Sequence, residues 1–160
     1  ISDPKLEKLL TKYGYDAVFY PHFEVQRFLS AFHTENPHVK IGALGQMDVQ
    51  TLLMASALLI TDFSSIQFDF AYMLKPEIYY QFDEARYWGT HHDRGYFDYR
   101  VDGFGAVVTT QEALLTAIET ALASECAVTL EMQKHIRDTF GALDDHNCER
   151  NHQAIRELMS

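Results

Sequence analysis

The residues best suited to chemistry follow an apolar run at positions 58–60. Asp62 comes first, and two adjacent hydroxyls, Ser64 and Ser65, stand where a helix is expected to begin. The first turn of a helix leaves N–H groups unpaired and carries the positive end of the helix dipole, which suits a phosphate. Simple N-capping is the alternative, because helix starts prefer serine and aspartate anyway. Since a cap needs only one hydroxyl, the second serine favours a phosphate site in which Asp62 orients the loop.

Two other groups are candidates for binding charge. His22 follows a short strand and a proline, and an imidazole there could stabilise charge on a transferred or leaving phosphate. The alternative is a solvated or structural histidine. Arg94 precedes Gly95, and a guanidinium beside a flexible backbone is common in phosphate or carboxylate clamps. A surface ion pair is the alternative for Arg94.

Several other site types lack their sequence patterns. His91 and His92 are adjacent, but no H-E-x-x-H or C-x-x-C spacing supports a metal site. The chain has no P-loop and no nucleophile elbow, and Gly103 and Gly105 lack the third glycine of a dinucleotide fingerprint. ATPase, hydrolase and dehydrogenase functions are therefore disfavoured.

A receiver-like signalling module is the non-enzymatic alternative, with Asp62 as a phosphate acceptor at a strand end. Such a domain needs an acidic pair after its first strand, where this chain has Tyr20, Pro21 and His22. It also needs a lysine after a late strand. Labelling of Asp62 by acetyl phosphate would favour this alternative.

An alternation of strand and helix patterns positions these candidates. Strands are predicted at residues 16–20, 39–44, 57–61, 77–81 and 106–108, and helices at 4–13, 24–32, 49–56, 66–73, 110–122, 128–140 and 148–159. We expect residues 57–61 to be the most buried strand and residues 82–105 to be a long irregular loop. The alternation predicts an α/β fold with a Rossmann-like, doubly wound parallel sheet. Ligands bind such sheets at the carboxyl ends of the strands.

Composition narrows the possible partners. The chain of 160 residues is expected to form a single domain, 1–160, and its formal net charge of −10 argues against nucleic acid. Cys126 and Cys148 form no framework, so a reducing, cytoplasmic compartment is expected. No apolar run approaches the roughly 20 residues that span a bilayer. Because the chain starts without methionine, we expect it to be part of a larger protein, with a processed product as the alternative.

The central motifs resemble the nucleotide-binding, C-terminal part of the CDP-glycerol glycerophosphotransferases, which prime or polymerise teichoic acid. The resemblance is carried by Leu59-Ile60-Thr61-Asp62-Phe63-Ser64-Ser65, Phe68-Asp69-Phe70-Ala71, Lys75-Pro76, Ile78-Tyr79-Tyr80 and Arg94-Gly95-Tyr96-Phe97-Asp98-Tyr99. It runs from about Asp16 to the C-terminus. It implies one half of a two-domain, GT-B-type enzyme.

The resemblance also implies a reaction and roles for the candidates. A hydroxyl of a lipid-linked acceptor attacks CDP-glycerol and CMP leaves. His22 would act in catalysis, Ser64 and Ser65 would bind the pyrophosphate, and Arg94 with Gly95 would clamp a phosphate. The carboxylates Asp62 and Asp69 would hold the loop or the cytidine ribose, and Asp144 matches a phosphate or ribose contact. A transferase that uses CDP-ribitol or a nucleotide sugar is the alternative.

The expected setting follows from the same resemblance. No cofactor beyond the donor substrate is implied, and the sequence leaves metal dependence and oligomeric state open. The full protein is expected at the inner face of the bacterial membrane as a peripheral protein, with membrane contact made by its other part.

Overall fold

The structure is a computed structural model that describes residues 1–90 and 95–159. Within these ranges the chain forms an α/β fold with seven α-helices and five short strands. The helices are α1 (Pro4–Tyr13), α2 (Val49–Ala55), α3 (Ile66–Tyr72), α4 (Glu84–Thr90), α5 (Gln111–Ala123), α6 (Leu130–Phe140) and α7 (Asn147–Leu158). The strands are β1 (Ala17–Phe19), β2 (Val39–Ile41), β3 (Leu59–Thr61), β4 (Glu77–Tyr80) and β5 (Gly105–Val108).

Capping residues set the ends of several helices where the sequence predicts them. The Asp3 carboxylate accepts a hydrogen bond from the Lys5 amide at the start of α1, and Gly14 ends that helix at a φ of 72°. Asp48 caps α2 through the Thr51 amide. Local side-chain chemistry therefore determines these boundaries.

All strand pairs are parallel, as predicted, but they form two sheets. β1 pairs with β2, and β4 lies between β3 and β5. The expectation of one continuous sheet is therefore wrong for the described residues, where no ladder joins β1 to β3. Strands of three or four residues offer few pairing groups, so the two ladders stay short and separate.

The most buried strand is β4, and the expectation that residues 57–61 hold this position is wrong. Glu77, Ile78 and Tyr79 are all buried, whereas Ile60 in β3 is 44% exposed. The reason is position in the sheet, because β3 is an edge strand and β4 has a strand on either side. Apolar composition alone does not distinguish the two.

Helices cover both faces of the three-stranded sheet. Ile78 packs on one face with Ile118 and Leu122 of α5, and α1 lies behind α5. On the other face Tyr79 hydrogen-bonds Gln67 of α3, and Phe104 packs with α3 and α6. The doubly wound arrangement predicted from the sequence is thus present around β3–β5.

Two segments differ from the sequence prediction. Residues 24–32 were expected to form an α-helix, but a 3-10 helix covers Gln26–Ala31 with a kink at Phe28. Phe23 and Phe28 are 65% and 56% exposed, so no buried apolar face supports a longer helix. The loop expected at 82–105 contains α4.

Candidate active site

The segment from Asp62 to Ser65 lies at the carboxyl edge of β3, as expected. The hydroxyl of Ser64 accepts a hydrogen bond from the Ile66 amide at 3.4 Å, so this half-buried serine helps to start α3. Ser65 stands at the N-cap position, with φ −67° and ψ −13°, but its side chain makes no capping bond. One serine therefore meets the needs of the helix, and the exposed hydroxyl of the other faces solvent.

Aromatic rings hold this loop in place. Phe63 stacks on Tyr87 of α4 with ring centroids 3.8 Å apart and planes 5° from parallel. Its edges meet Trp88 at 5.6 Å and Tyr99 at 5.8 Å. Burial raises the pKa of Tyr87 and Tyr99, and the nearby Asp62 carboxylate adds to both shifts.

A cleft of about 270 Å³ opens at the same edge of the sheet. It is lined by Gln81 at the end of β4, by Glu84 and Trp88 of α4, and by Gly95 and residues 97–100. Gln81 is buried, and its side-chain amide donates to the Asp62 carbonyl at 3.3 Å. This bond ties the cleft to the loop that carries Ser64 and Ser65.

The charges in the cleft are paired. The guanidinium of Arg100 donates to both carboxyl oxygens of Glu84, at 2.9 and 3.4 Å. The Arg100 amide also donates to the Asp98 carboxylate at 2.8 Å, which fixes the turn that carries Tyr99. The described lining therefore presents a ligand mainly with hydrogen-bonding and aromatic groups, and the paired charges leave little net charge.

His22 lies at the carboxyl end of β1, on the other sheet. Its side chain is exposed, its ring lies 4.3 Å from the ring of Phe23, and its Nδ1 accepts from the Glu24 amide at 3.4 Å. That bond leaves Nε2 as the nitrogen that carries the proton in a neutral ring. Among the described residues, no hydrogen bond joins His22 to Asp62, Ser64 or Ser65.

Asp144 is separated from the serines by the length of α3. Its carboxylate accepts from Arg150 at 2.8 and 3.2 Å, and its backbone carbonyl accepts from the hydroxyl of Tyr72, the last residue of α3. The Arg150 hydrogen bonds lower the pKa of Asp144 to about 2. Asp69 is exposed on the first turn of α3. The structure therefore does not gather Asp144 and the two serines at one end of the helix.

The predicted clamp is described only in part. Gly95 lines the cleft, whereas Arg94, His91 and His92 lie outside the described residues. Over residues 1–90 and 95–159, no group of three or more His, Cys, Asp or Glu side chains is arranged to hold a metal ion.

Sequence reasoning did not identify the cleft lining formed by Gln81, Glu84, Trp88 and Arg100. Gln81 had a usable signal, because it directly follows a buried parallel strand. The Glu84 to Arg100 ion pair had no sequence signal. It joins a helix and a turn within residues 82–105, which the sequence pattern predicted as an irregular loop.

Comparison with known protein families decides among the sequence hypotheses. The family model of the CDP-glycerol:poly(glycerophosphate) glycerophosphotransferases matches residues 2–155. The chain belongs to this family. The match includes every candidate residue, from His22 to Asp144, and it confirms the resemblance inferred from the central motifs.

Two relatives of this chain carry names that refer to teichoic acid. The minor teichoic acid biosynthesis protein GgaB of Bacillus subtilis (strain 168) is 31% identical over 158 residues, which is 99% of this chain and 17% of GgaB. A teichoic acid glycerol-phosphate transferase of Staphylococcus aureus (strain NCTC 8325 / PS 47) is 36% identical over 72 residues, 45% of this chain and 18% of that protein. The chain thus spans less than a fifth of the length of these relatives.

Solved structures of the wall teichoic acid polymerase TagF share the fold. One matches with a TM-score of 0.65 and 22% identity, covering 97% of this chain and 38% of that chain. A single-residue variant matches with a TM-score of 0.67 and 20% identity, covering 97% and 39%. In the part of our chain that the structure describes, no helix has the length and apolar character to cross a membrane.

Proposed function

We propose that this chain is the donor-binding domain of a CDP-glycerol glycerophosphotransferase of the two-domain, GT-B type. The full protein would transfer glycerol phosphate from CDP-glycerol to a hydroxyl of a lipid-linked acceptor, and it would release CMP. The observation that carries the proposal is the family match over residues 2–155. The cleft at the carboxyl edge of β3–β5 supports it, because such edges are where α/β sheets bind nucleotides.

The chemistry needs little from the protein beyond placement and charge stabilisation. The acceptor oxygen forms a bond to the β-phosphorus, the bond between that phosphorus and the bridging oxygen breaks, and CMP departs with the bridging oxygen. Charge develops on phosphate oxygens in the transition state, and fixed hydrogen-bond donors lower its energy. The acceptor hydroxyl loses its proton to a base that we assign to the remainder of the protein.

Each candidate residue has a role in this scheme. Ser65 and the amides around Ser64 would donate to the pyrophosphate, with Asp62 holding the loop beside its tyrosines. His22 would donate from Nε2 to the leaving or transferred phosphate, since its Nδ1 already accepts from Glu24. Arg94 would clamp a phosphate oxygen, and Asp69 would contact the ribose. Asp144 would act through Arg150, its partner in the structure.

The setting of the full enzyme is part of the same proposal. Lipid-linked acceptors and cytidine nucleotides meet at the inner face of the bacterial membrane. We place the protein there as a peripheral protein, with membrane contact made by residues outside this chain.

Calorimetric titration of this chain with CDP-glycerol, CMP, CDP-ribitol and UDP-glucose tests the proposal. We expect the cytidine ligands to bind, UDP-glucose to bind at least about tenfold more weakly, and the double variant Ser64→Ala/Ser65→Ala to lose the cytidine affinity. Ser124→Ala is the matched control, because this serine at the end of α5 is exposed and its hydroxyl donates to the nearby Ala121 carbonyl, away from the candidate site.

The outcome that contradicts the proposal is equally specific. If neither this chain nor its full-length parent binds a cytidine nucleotide at millimolar concentration, the chain is not a donor-binding domain. Tighter binding of CDP-ribitol than of CDP-glycerol would instead support the related transferase. In the full-length protein, normal turnover by His22→Ala would remove His22 from the catalytic scheme.

A further inference from the structure

A carboxylic acid lies inside the core with no hydrogen-bond partner. Glu77, the first residue of β4, is 3% exposed, and neither of its carboxyl oxygens has a partner among the described residues. Burying an unpaired carboxylate is costly, so a group in this position resists ionisation. The proposed transfer reaction does not use it.

The surroundings of Glu77 contain almost nothing that titrates. Strand pairing places Leu59 of β3 and Gly105 of β5 beside it, and Ala71 of α3 lies over it with its backbone amide nearby. From its own strand, Tyr79 presents a hydroxyl on the same face, two residues along. Tyr79 is the one ionisable group that faces Glu77 in the described part of the chain, and no cation does.

Tyr79 connects this acid to the candidate cleft. Its hydroxyl donates to the side-chain oxygen of Gln67 at 2.7 Å and accepts from the Phe104 amide at 3.0 Å. Gln67 is itself 2% exposed, and the ring of Tyr79 meets the ring of Tyr99 nearly at right angles, with centroids 5.1 Å apart. Tyr99 lines the cleft and meets the edge of Phe63. Tyr79 therefore links the surroundings of Glu77 to the cleft wall, through its hydroxyl to Gln67 and through its ring to Tyr99.

We propose that Glu77 is a proton-binding site built into the core, and that loss of its proton is transmitted through Tyr79 and Gln67 to Tyr99 in the cleft. The neutral acid fits its apolar site. Once ionised, the carboxylate competes with Gln67 for the proton of the Tyr79 hydroxyl. Gln67 then loses its donor and turns towards Tyr99, which shifts the aromatic wall. The proton of Glu77 passes to water, and no other covalent bond changes.

The direction of the pH response follows from burial. Burial raises the pKa of Glu77 to about 8, with the Tyr79 hydroxyl and the Ala71 amide partly opposing the rise. The folded chain then holds a proton that the unfolded chain releases near pH 4.3. The contribution of Glu77 to stability is accordingly complete below that pH, falls as the pH rises towards 8, and levels off above it. The cleft changes only around pH 8.

Trp88, the single tryptophan of the chain, reports on the cleft directly. We would follow its emission from about pH 6 to about pH 9.5, below the ordinary tyrosine range. The expected result is a sigmoidal change with its midpoint near pH 8 in the unmodified chain. In the same samples, the side-chain carboxyl ¹³C signal of Glu77 should titrate with the same midpoint.

Three variants separate the steps. Glu77→Gln removes the titrating group and should abolish the Trp88 transition, and Glu77→Met serves if the amide disturbs folding. Tyr79→Phe should leave the carboxyl titration but remove the Trp88 response. Glu112→Gln, an exposed change on α5, should leave both signals unaltered.

Two results would overturn the proposal. A Glu77 carboxyl signal that titrates near its ordinary pH would show that the core does not hold the proton. A Trp88 transition that survives in Glu77→Gln, or in Tyr79→Phe with Glu77 still titrating, would show that the cleft responds to another group.

Discussion

The ring of Phe63 lies flat on the ring of Tyr87, with centroids 3.8 Å apart and planes 5° from parallel. Phe63 sits between Asp62 and Ser64, so this stack attaches the predicted phosphate loop to α4. Trp88 and Tyr99 close the same cluster from the side. The position of the loop therefore depends on aromatic packing as well as on the end of β3.

Truncating Phe63 should loosen both the loop and the cleft. We expect Phe63→Ala to lower the free energy of unfolding by about 2 kcal/mol, less than for a fully buried phenylalanine because the residue is half-buried. Trp88 emission should shift to longer wavelength, since the indole loses a covering ring. Urea unfolding followed by Trp88 fluorescence measures both effects. Phe82→Ala is the control, because that ring is 64% exposed, and equal losses in the two variants would contradict the role of the stack.

Lys75 should stabilise the end of α2. Its ammonium group donates to the carbonyls of Leu53, Met54 and Ser56 at 3.0, 2.6 and 2.8 Å. These carbonyls stand at the negative end of the helix dipole and gain a charged donor from the lysine. We expect Lys75→Met to cost about 2 kcal/mol of unfolding free energy. The exposed Lys40→Met should cost nearly nothing, and a Lys75→Met chain as stable as its parent would show that water replaces the ammonium group.

Gly105 should tolerate no side chain. A Cβ at this position would lie 2.0 Å from the Glu77 carbonyl oxygen, inside the β4 to β5 pair. We expect Gly105→Ala to separate the two strands and to lower the free energy of unfolding by at least about 3 kcal/mol, as overpacking against backbone does. Thermal unfolding measures the loss. Gly89→Ala is the matched control, because a Cβ there meets nothing within 4 Å and alanine favours the helix α4. Similar melting temperatures for the two variants would contradict the steric argument.

The attachment of α7 should depend on pH through Asp144. Hydrogen bonds from Arg150 lower the pKa of Asp144 to about 2. A depressed pKa gives a contribution that is complete above the unfolded value, near 3.9, and is lost as the pH falls through about 2. Amides of α7 should therefore exchange hydrogen faster, relative to α5, in that window. Asp144→Asn should show the faster exchange already at pH 7.

Asp145→Asn is the control for that measurement, because the side chain of Asp145 is 95% exposed. If α7 exchanges equally fast in all three chains at pH 7, the Asp144 to Arg150 pair does not hold the helix.

Helix ends are predictable from the sequence because the capping residues act locally. Burial of a strand is not, because it depends on the tertiary position of that strand. Asp3, Gly14 and Asp48 act at their own helix termini, so short sequence patterns identify them. For α5, the spacing from Thr109 to Glu112 predicts Thr109 as the N-cap, but the structure uses Thr110, whose hydroxyl accepts from the Ala113 amide. The burial of β4 over β3 depends on strand order, which apolar composition does not encode.

The same limit applies to the candidate site. Ser64 and Ser65 were predictable as residues at a helix start, and the structure places them there. The Tyr87 stack on Phe63 and the Arg100 pair with Glu84 depend on how α4 folds back over the sheet edge. No periodic pattern signals a contact of that kind.

The division of the strands into two parallel sheets bears on how the site can adjust. Ser64 follows β3, and the β3 to β4 ladder fixes its distance from Gln81. His22 follows β1, whose ladder runs to β2. Moving His22 relative to Ser64 breaks no strand-to-strand hydrogen bond of the described residues. Among the described residues, strand pairing therefore fixes the spacing between Ser64 and Gln81 in the candidate site but leaves the spacing between Ser64 and His22 unconstrained.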